Sequence, residues 1–220
     1  MKLGLIAMSG VRAWSAELNA AGLSMPGVME RGRVIASLPS LSLLTLAALT
    51  PEDVEVEYME VRDLSREGVP ERSMDLAAIS TMTAQVFDAY ALADRLRERG
   101  VRVVMGGLHV TALPEEALQH CDAVVAGEAE GVWGEVIEDF RQGRMGGVYR
   151  ASGPFDLRDA PMPRFELLDI DRYNRLTVQT SRGCPHKCDF CAGSILLTPG
   201  YTVKPVERVI GEIRKIKERW

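Results

Sequence analysis

The segment AQVFDAYALADRLRERGVRVVMGG, residues 84–107, contains a helix pattern followed directly by a strand pattern. The apolar residues of its first part recur with the helical period and predict one inward face, formed by Val86, Phe87, Tyr90, Ala93 and Leu96. Gly100 then predicts the end of the helix, because glycine readily adopts the left-handed conformation found there. The continuous apolar run VRVVM (101–105) predicts a strand that is buried on both faces. This combination indicates a parallel sheet covered by helices.

The same alternation continues over most of the first 142 residues. Four further runs predict strands: LGLIA (3–7), VEVEYMEV (54–61), LAAIS (76–80) and DAVVA (122–126). The run at 54–61 alternates valine with glutamate, which predicts one wet face and an edge position. Helical patterns occur at LPEEALQH and GVWGEVIEDF. Alternating strands and helices predict an α/β fold, a flavodoxin-like, doubly wound, parallel sheet of five strands over residues 1–142.

A second unit is predicted after residues 143–172, which are rich in Gly, Pro and charge and have the character of a linker. The run LTVQT (176–180) predicts a strand, and a helix is expected from Pro205. The predicted inward face of that helix is formed by Val206, Val209, Ile210, Ile213 and Ile216. The third segment therefore spans 173–220 and contains one β/α unit.

Composition excludes several classes of protein. The net charge is -5, whereas a nucleic-acid scaffold normally carries a basic surface. The longest apolar run, LSLLTLAAL (41–49), is far shorter than the roughly 20 residues of a membrane span. Clustered cysteines without a secretory signal indicate metal ligands in a reducing cytoplasm. We therefore expect a cytoplasmic protein without a membrane span or a nucleic-acid partner.

Three of the 4 cysteines lie together in SRGCPHKCDFCAG, residues 181–193. Cys184, Cys188 and Cys191 follow the spacing C-x-x-x-C-x-x-C. A structural zinc site requires four ligands, and either His186 or Cys121 would have to supply the fourth. A 4Fe–4S cluster held by three thiolates instead leaves one iron open to another ligand. Cys121, at the start of a predicted strand, is expected to be a small buried apolar residue.

Small and polar residues follow three of the predicted strands. Ligands of open α/β sheets bind outside the carboxyl ends of the strands. The candidates at that edge are Ser80, Thr81, Thr83, Gly106, Gly107, His109, Gly127 and Glu128. Alternatively, the glycine pair only makes a tight turn, the hydroxyls of Ser80 and Thr83 cap the next helix, and His109 is a structural histidine.

The cysteine loop resembles the signature of the radical S-adenosylmethionine (SAM) superfamily. The resemblance implies that Cys184, Cys188 and Cys191 hold three irons of a 4Fe–4S cluster, and that the amino and carboxylate groups of SAM chelate the fourth. Phe190 matches the aromatic residue that lies near the adenine in that family. The predicted strand, loop and helix would then be the first unit of a partial (β/α) barrel.

The preceding half resembles the cobalamin-binding domain that many radical SAM enzymes carry. The matching stretches are PSLSLLTLAALTP, AISTMT, VVMGGLHVTALPEEAL and DAVVAGEAEGVW. The combined resemblance implies a cobalamin-dependent radical SAM enzyme, which transfers a methyl group to a carbon of a small-molecule substrate and takes electrons from a donor such as flavodoxin or ferredoxin. The loop MSGVRAWSAELNAAG (8–22) contains no histidine, so we expect no protein imidazole below the cobalt.

Other functions remain open at this level. Residues 1–142 alone would suit a stand-alone cobalamin or flavin module, and a zinc-stabilised interaction domain would use the cysteines structurally. A complete barrel needs on the order of 200 residues, far more than 173–220 provide. We therefore expect this chain to be the N-terminal part of an enzyme and not to complete catalysis alone.

Overall fold

The computed structural model describes residues 1–8, 38–170, 173, 175–186, 188–191 and 200–219. Within these ranges one parallel sheet forms the centre of the molecule. Its strands are β1 (Lys2–Met8), β2 (Glu55–Val61), β3 (Leu76–Ser80), β4 (Arg102–Gly106), β5 (Ala123–Val125) and β6 (Gly147–Tyr149). The strand order is β2-β1-β3-β4-β5-β6, which confirms the doubly wound α/β fold and the edge position of β2.

Helices cover both faces of the sheet. They are α1 (Leu41–Leu49), α2 (Leu64–Glu67), α3 (Val86–Glu98), α4 (Leu108–Ala112), α5 (Pro114–Ala117) and α6 (Trp133–Arg141). The α3 face with Tyr90, Ala93 and Leu96 is buried as its period predicts. Phe87 was wrongly placed on that face, because its side chain is 81% exposed.

The direction of winding reverses at β1. The chain passes from β1 outward to β2 and then returns to β3 on the other side of β1. A crevice forms outside the carboxyl ends of parallel strands at such a reversal. Residues 9–37, which follow β1 and include the loop without a histidine, lie outside the described residues.

The sheet has six strands, so the prediction of five strands followed by a linker was wrong. β6 lies inside the predicted linker and pairs with β5 from Ala123↔Gly147 to Val125↔Tyr149. The same stretch contains a 3-10 turn (Phe165–Leu167), whose Phe165 packs with Leu44 of α1. Residues 143–170 are therefore packed against the sheet domain and extend it.

The C-terminal segment contains a hairpin and a helix. β7 (Ser181–Cys184) pairs antiparallel with β8 (Gly200–Val203), and α7 (Val206–Arg219) follows. The strand predicted at 176–180 was misplaced, because those residues have no regular structure and the strand begins at Ser181. The helix is confirmed, but three of its predicted inward residues are exposed: Val206, Ile210 and Ile213. No helix in the described ranges is long and apolar enough to cross a membrane.

Candidate functional site

A cleft of about 310 Å³ opens at the carboxyl edge of the sheet. Its floor consists of the ends of β3, β4 and β5, and its sides are formed by α1, α6 and the segment leading into β7. The cleft contains five of the residues predicted from sequence: Ser80, Gly106, Gly107, Gly127 and Glu128. The topology brings them together because each of them ends a parallel strand or lies within three residues of its carboxyl end.

One side of the cleft is apolar. Leu43 and Leu46 project from α1, and Trp133 lies at the start of α6. The indole N–H of Trp133 donates to Thr50 Oγ1 at 2.9 Å inside the protein. This hydrogen bond satisfies the buried donor and fixes the ring plane. The apolar side is therefore preformed.

Gly107 allows two loops to pass in close contact. Its φ is +120°, and a Cβ at this position would lie 2.1 Å from the carbonyl oxygen of Thr81. The Thr81 N–H donates to the Gly106 carbonyl at 3.1 Å, which holds the loops after β3 and β4 together. Only glycine fits both the conformation and the space. The cleft is thus lined by bare backbone at this point.

Thr111 joins the next pair of loops. Its hydroxyl donates to the Gly107 carbonyl at 2.8 Å and accepts from the Gly127 N–H at 2.9 Å. Gly127 has a φ of +89°, a conformation that favours glycine. The ends of β4 and β5 are therefore locked through one hydroxyl.

Thr81, Thr83 and His109 do not line the cleft. Thr81 is buried behind it, and Thr83 Oγ1 lies 3.3 Å from His109 Nδ1. His109 Nε2 lies 3.3 Å from Glu116 Oε1. Hydrogen bonds from His109 and Tyr90 lower the pKa of Glu116. These contacts tie α3, α4 and α5 together beside the cleft.

A buried ion cluster closes the opposite side of the cleft. Arg182 of β7 directs Nη1 to Glu128 Oε1 at 3.2 Å and Nη2 to Glu130 Oε1 at 2.5 Å. Gln179 Oε1 accepts a further hydrogen bond from Nη2 at 3.2 Å. The side chains of both glutamates are 8% exposed and that of Arg182 is 18% exposed. Burial lowers the pKa of Arg182, but the bonds and charges of Glu130 and Glu128 outweigh it, so the pKa is raised.

Glu128 makes a second connection. Its Oε2 accepts the backbone N–H of Phe155 at 2.5 Å, in the segment after β6. One carboxylate thus holds the end of the sheet, the segment after β6 and the hairpin strand β7.

Sequence reasoning missed several residues of the cleft. Ser42, Glu130, Trp133, Gln179 and Arg182 line it without having been predicted. The sequence did contain one sign of the ion cluster, the spacing E-x-E of Glu128 and Glu130 shortly after β5. Two acidic side chains so close together at a ligand-binding edge favour a nearby cation or a ligand. The arginine just before Gly183-Cys184 supplies that cation.

The cysteine loop carries three cysteines, none of which is in a disulfide. Cys184 ends β7 and is half-buried, Cys188 is exposed, and Cys191 is half-buried. The N–H of Cys191 donates to the Cys188 carbonyl at 3.0 Å, which closes one turn between them. Phe190 is 92% exposed. Among the described residues, which exclude Lys187 and 192–199, no three Cys, His, Asp or Glu side chains form a metal-holding group.

Cys121 lies apart from this loop and is buried, as predicted. Its thiol donates to the carbonyl groups of Ala117 and Ala123 at 3.1 and 3.2 Å. Burial raises the pKa of this thiol to about 12. Cys121 is therefore a structural cysteine.

Comparison with known proteins identifies the sheet domain. Residues 33–137 match the family described as B12 binding domain. The bacteriochlorophyllide d C-12(1)-methyltransferase of Chlorobaculum tepidum is 30% identical over 190 residues, which are 83% of this chain and 41% of that protein. The hopanoid C-2 methylase of Rhodopseudomonas palustris is 24% identical over 189 residues, which are 84% of this chain and 36% of that protein. The chain thus spans less than half the length of these relatives.

A solved structure has the same fold over nearly the whole chain. The radical SAM methyltransferase TsrM of Kitasatospora setae, with cobalamin and a 4Fe–4S cluster bound, gives a TM-score of 0.67 at 16% identity. The match covers 99% of this chain and 47% of TsrM. Together these findings show that the chain carries a B12 binding domain, that it is related to methyltransferases, and that its fold is similar to that of TsrM.

Proposed function

We propose that this chain binds cobalamin in the cleft and a 4Fe–4S cluster with SAM at the cysteine loop, as part of an enzyme that methylates a carbon of a small molecule. One observation carries the proposal: Arg182, two residues before Cys184, forms part of the wall of the cleft. The two predicted cofactor sites are therefore neighbours. All cleft residues of the sheet domain, from Ser42 to Trp133, also fall within the B12 match.

The cleft suits the nucleotide tail of cobalamin. Its volume is at the lower end of ligand pockets, which measure about 300–1,000 Å³. Leu43, Leu46 and Trp133 offer an apolar surface to an aromatic base and exclude water from it. The hydroxyl of Ser80 and the backbone at Gly106 and Gly107 offer polar contacts to sugar and phosphate. Bound cobalamin supplies a cobalt centre that carries the methyl group.

The lining residues also bear on the ligand below the cobalt. Histidine does not occur among the described residues that line the cleft, and His109 is engaged with Thr83 and Glu116. This supports the prediction that no protein imidazole binds the cobalt. Electron paramagnetic resonance of the cobalt(II) form tests it, and an axial-nitrogen splitting that disappears in His109→Ala would contradict it.

The cysteine loop suits an iron–sulfur cluster. Cys184, Cys188 and Cys191 would hold three irons, and all three thiols are free of disulfides. Ligand side chains often assemble only when the metal binds, since binding is coupled to local folding. The bound cluster supplies the electron for reductive cleavage of SAM. Phe190 and Cys188 are exposed, which leaves the loop open to SAM and to a reducing partner such as flavodoxin or ferredoxin.

Cobalamin binding is tested by filling the cleft. A Cβ on Gly106 would meet only the Val125 carbonyl oxygen, at 3.8 Å, so Gly106→Leu adds bulk in the cleft without a backbone clash. We expect this variant to bind hydroxocobalamin at least tenfold more weakly in gel-filtration retention assays. Gly153→Leu is the control, because no atom lies within 4 Å of its Cβ position. Equal retention by both variants, or none by the wild type, would refute cobalamin binding in this cleft.

Cluster binding is tested by anaerobic reconstitution with iron and sulfide. We expect about four irons per chain and a broad visible absorbance that dithionite bleaches. Cys184→Ala, Cys188→Ala and Cys191→Ala should each lose the stable cluster, whereas Cys121→Ala should retain it. A colourless, redox-silent zinc site, or equal loss in all four variants, would overturn the assignment.

A further inference from the structure

We propose that Arg182 is a positioning residue that clamps the cysteine loop to the cobalamin cleft by holding Glu128 and Glu130 together. The role given to this clamp rests on the proposed function. The contacts that form the clamp are those of the chain itself.

The clamp joins two parts of the chain that are distant in sequence. Arg182 lies 54 residues from Glu128 and 52 from Glu130, yet a separate nitrogen of its guanidinium reaches each carboxylate. The planar fork of arginine matches two acceptors at once, which a lysine ammonium cannot do in the same way. The hairpin is therefore held at a defined orientation as well as a defined distance.

Burial makes the clamp costly to open. The side chains of Glu128 and Glu130 are each only 8% exposed. Removing the arginine would take its positive charge away from two neighbouring carboxylates in a low-dielectric site, which is unfavourable. A swing of β7 away from the sheet edge would break both ion pairs together. The closed arrangement is therefore strongly favoured.

The clamp acts on a proposed iron ligand through a very short connection. Two residues of chain cannot span more than about 7 Å, so Cys184 stays within that distance of the Arg182 backbone. Gly183 lies between them with a φ of +81°, within the strand β7 that pairs with β8. Fixing Arg182 therefore fixes the start of the cysteine loop relative to the cleft. Methyl and electron transfer between two cofactors requires such a constant separation.

The first test needs no cofactor. Hydrogen exchange of the purified chain is compared for the wild type, Arg182→Gln, Arg182→Lys and the control Arg158→Gln. Arg158 pairs only locally with Asp156 on the surface. We expect at least tenfold faster exchange at 179–184 and 127–131 in Arg182→Gln, an intermediate effect in Arg182→Lys, and wild-type exchange in the control. The amides of β3 and β4 should be unchanged in every variant.

The second test measures the separation of the cofactors. The chain is loaded with cobalt(II) cobalamin and reduced cluster, and samples of Arg182→Gln and wild type that hold equal amounts of cobalamin and iron are compared. The magnetic relaxation of cobalt(II) by the cluster should become weaker and heterogeneous in Arg182→Gln. The charge-swapped pair Arg182→Glu/Glu130→Arg should recover part of the wild-type signal. A residue with a merely structural role would leave the magnetic coupling of the loaded samples at its wild-type value.

The outcomes separate the two proposals. Wild-type exchange at 179–184 in Arg182→Gln, or unchanged magnetic coupling, would overturn the clamp while leaving cofactor binding intact. Failure of the wild type to bind either cofactor would refute the proposed function, and hydrogen exchange would still decide whether Arg182 restrains the hairpin.

Discussion

Gly107 lies against the carbonyl group of Thr81 with no room for a β-carbon. We expect Gly107→Ala to lower the free energy of unfolding by about 2 kcal/mol or more, because the positive φ and the 2.1 Å approach both oppose a side chain. Denaturant unfolding measures the effect. Gly134→Ala in α6 is the matched control, since nothing lies within 4 Å of its Cβ position. It should be neutral or stabilising by up to about 1 kcal/mol, and equal losses in both variants would contradict the steric explanation.

Cys121 should make the protein sensitive to alkali. Its pKa rises from 9.0 to about 12 on burial, so between these values the unfolded chain loses a proton that the folded chain keeps. The stabilisation is complete below pH 9 and is lost as the pH rises towards 12. We expect the free energy of unfolding to fall more steeply in the wild type than in Cys121→Ala, by up to about 1.4 kcal/mol per pH unit. Parallel pH profiles for the two proteins would contradict this.

Residues at strand ends were predictable, and residues joined by long-range contacts were not. Ser80, Gly106 and Gly127 reach the cleft because sheet topology alone places them there. The ion cluster of Arg182 with Glu130 depends on how the hairpin docks, which no local pattern encodes. Phe87 was misplaced for a different reason. The helical period predicts which residues share one face of α3, but it does not predict how much of that face the sheet buries.

The helix α7 is anchored to the hairpin by a buried ion pair. Lys204, directly after β8, places Nζ 2.5 Å from Glu212 Oε1, and the two side chains are 3% and 2% exposed. The second carboxylate oxygen, Glu212 Oε2, has no hydrogen-bond partner among the residues that the structure describes. The buried charge of Glu212 is therefore compensated by the charge of Lys204.

This anchor predicts a strongly non-additive pair of substitutions. Lys204→Met should destabilise the segment by about 3–5 kcal/mol, because it leaves the Glu212 charge buried and unpaired. Lys204→Met/Glu212→Leu should regain most of the loss by replacing the pair with apolar side chains. Urea unfolding followed by circular dichroism measures both. A double variant as unstable as the single one would argue against a buried charge pair.

Strand prediction succeeded where the sequence carries a continuous apolar run and failed where it carries none. The runs at 3–7, 76–80 and 101–105 are continuous and apolar, and all three are strands. β6 has three residues, begins with a glycine and exposes Val148, so its sequence carries neither an apolar run nor an alternation. It forms because β5 offers an open edge to pair with.

The extent of the sheet domain has a direct consequence for the whole molecule. The sheet domain was predicted to span residues 1–142, but a fragment with those bounds would lack β6 and the contacts of Tyr149, whose hydroxyl donates to Asp139 Oδ2 at 3.0 Å. Phe165 and Leu168 would be lost from the cluster around Leu44.

We therefore expect fragment 1–170 to be clearly more stable than fragment 1–142. The longer fragment buries additional apolar surface, so both the midpoint and the slope of urea unfolding should increase. Coincident unfolding curves would show that residues 143–170 add nothing to the domain. The shorter fragment is the matched control because it keeps every residue of the cleft except Gln179 and Arg182, which neither fragment contains.

The indole of Trp133 gives the molecule a built-in optical probe. It is held in the cleft wall by its bond to Thr50, so a coloured ligand seated there would accept its excitation energy. We expect fluorescence to decrease saturably as hydroxocobalamin is added, and most of that decrease to be absent in Trp133→Phe. Quenching of equal size in the variant would mean that the emission comes from the other tryptophans. Occupancy of the cleft could therefore be followed in real time as a decrease in the tryptophan fluorescence of the protein itself.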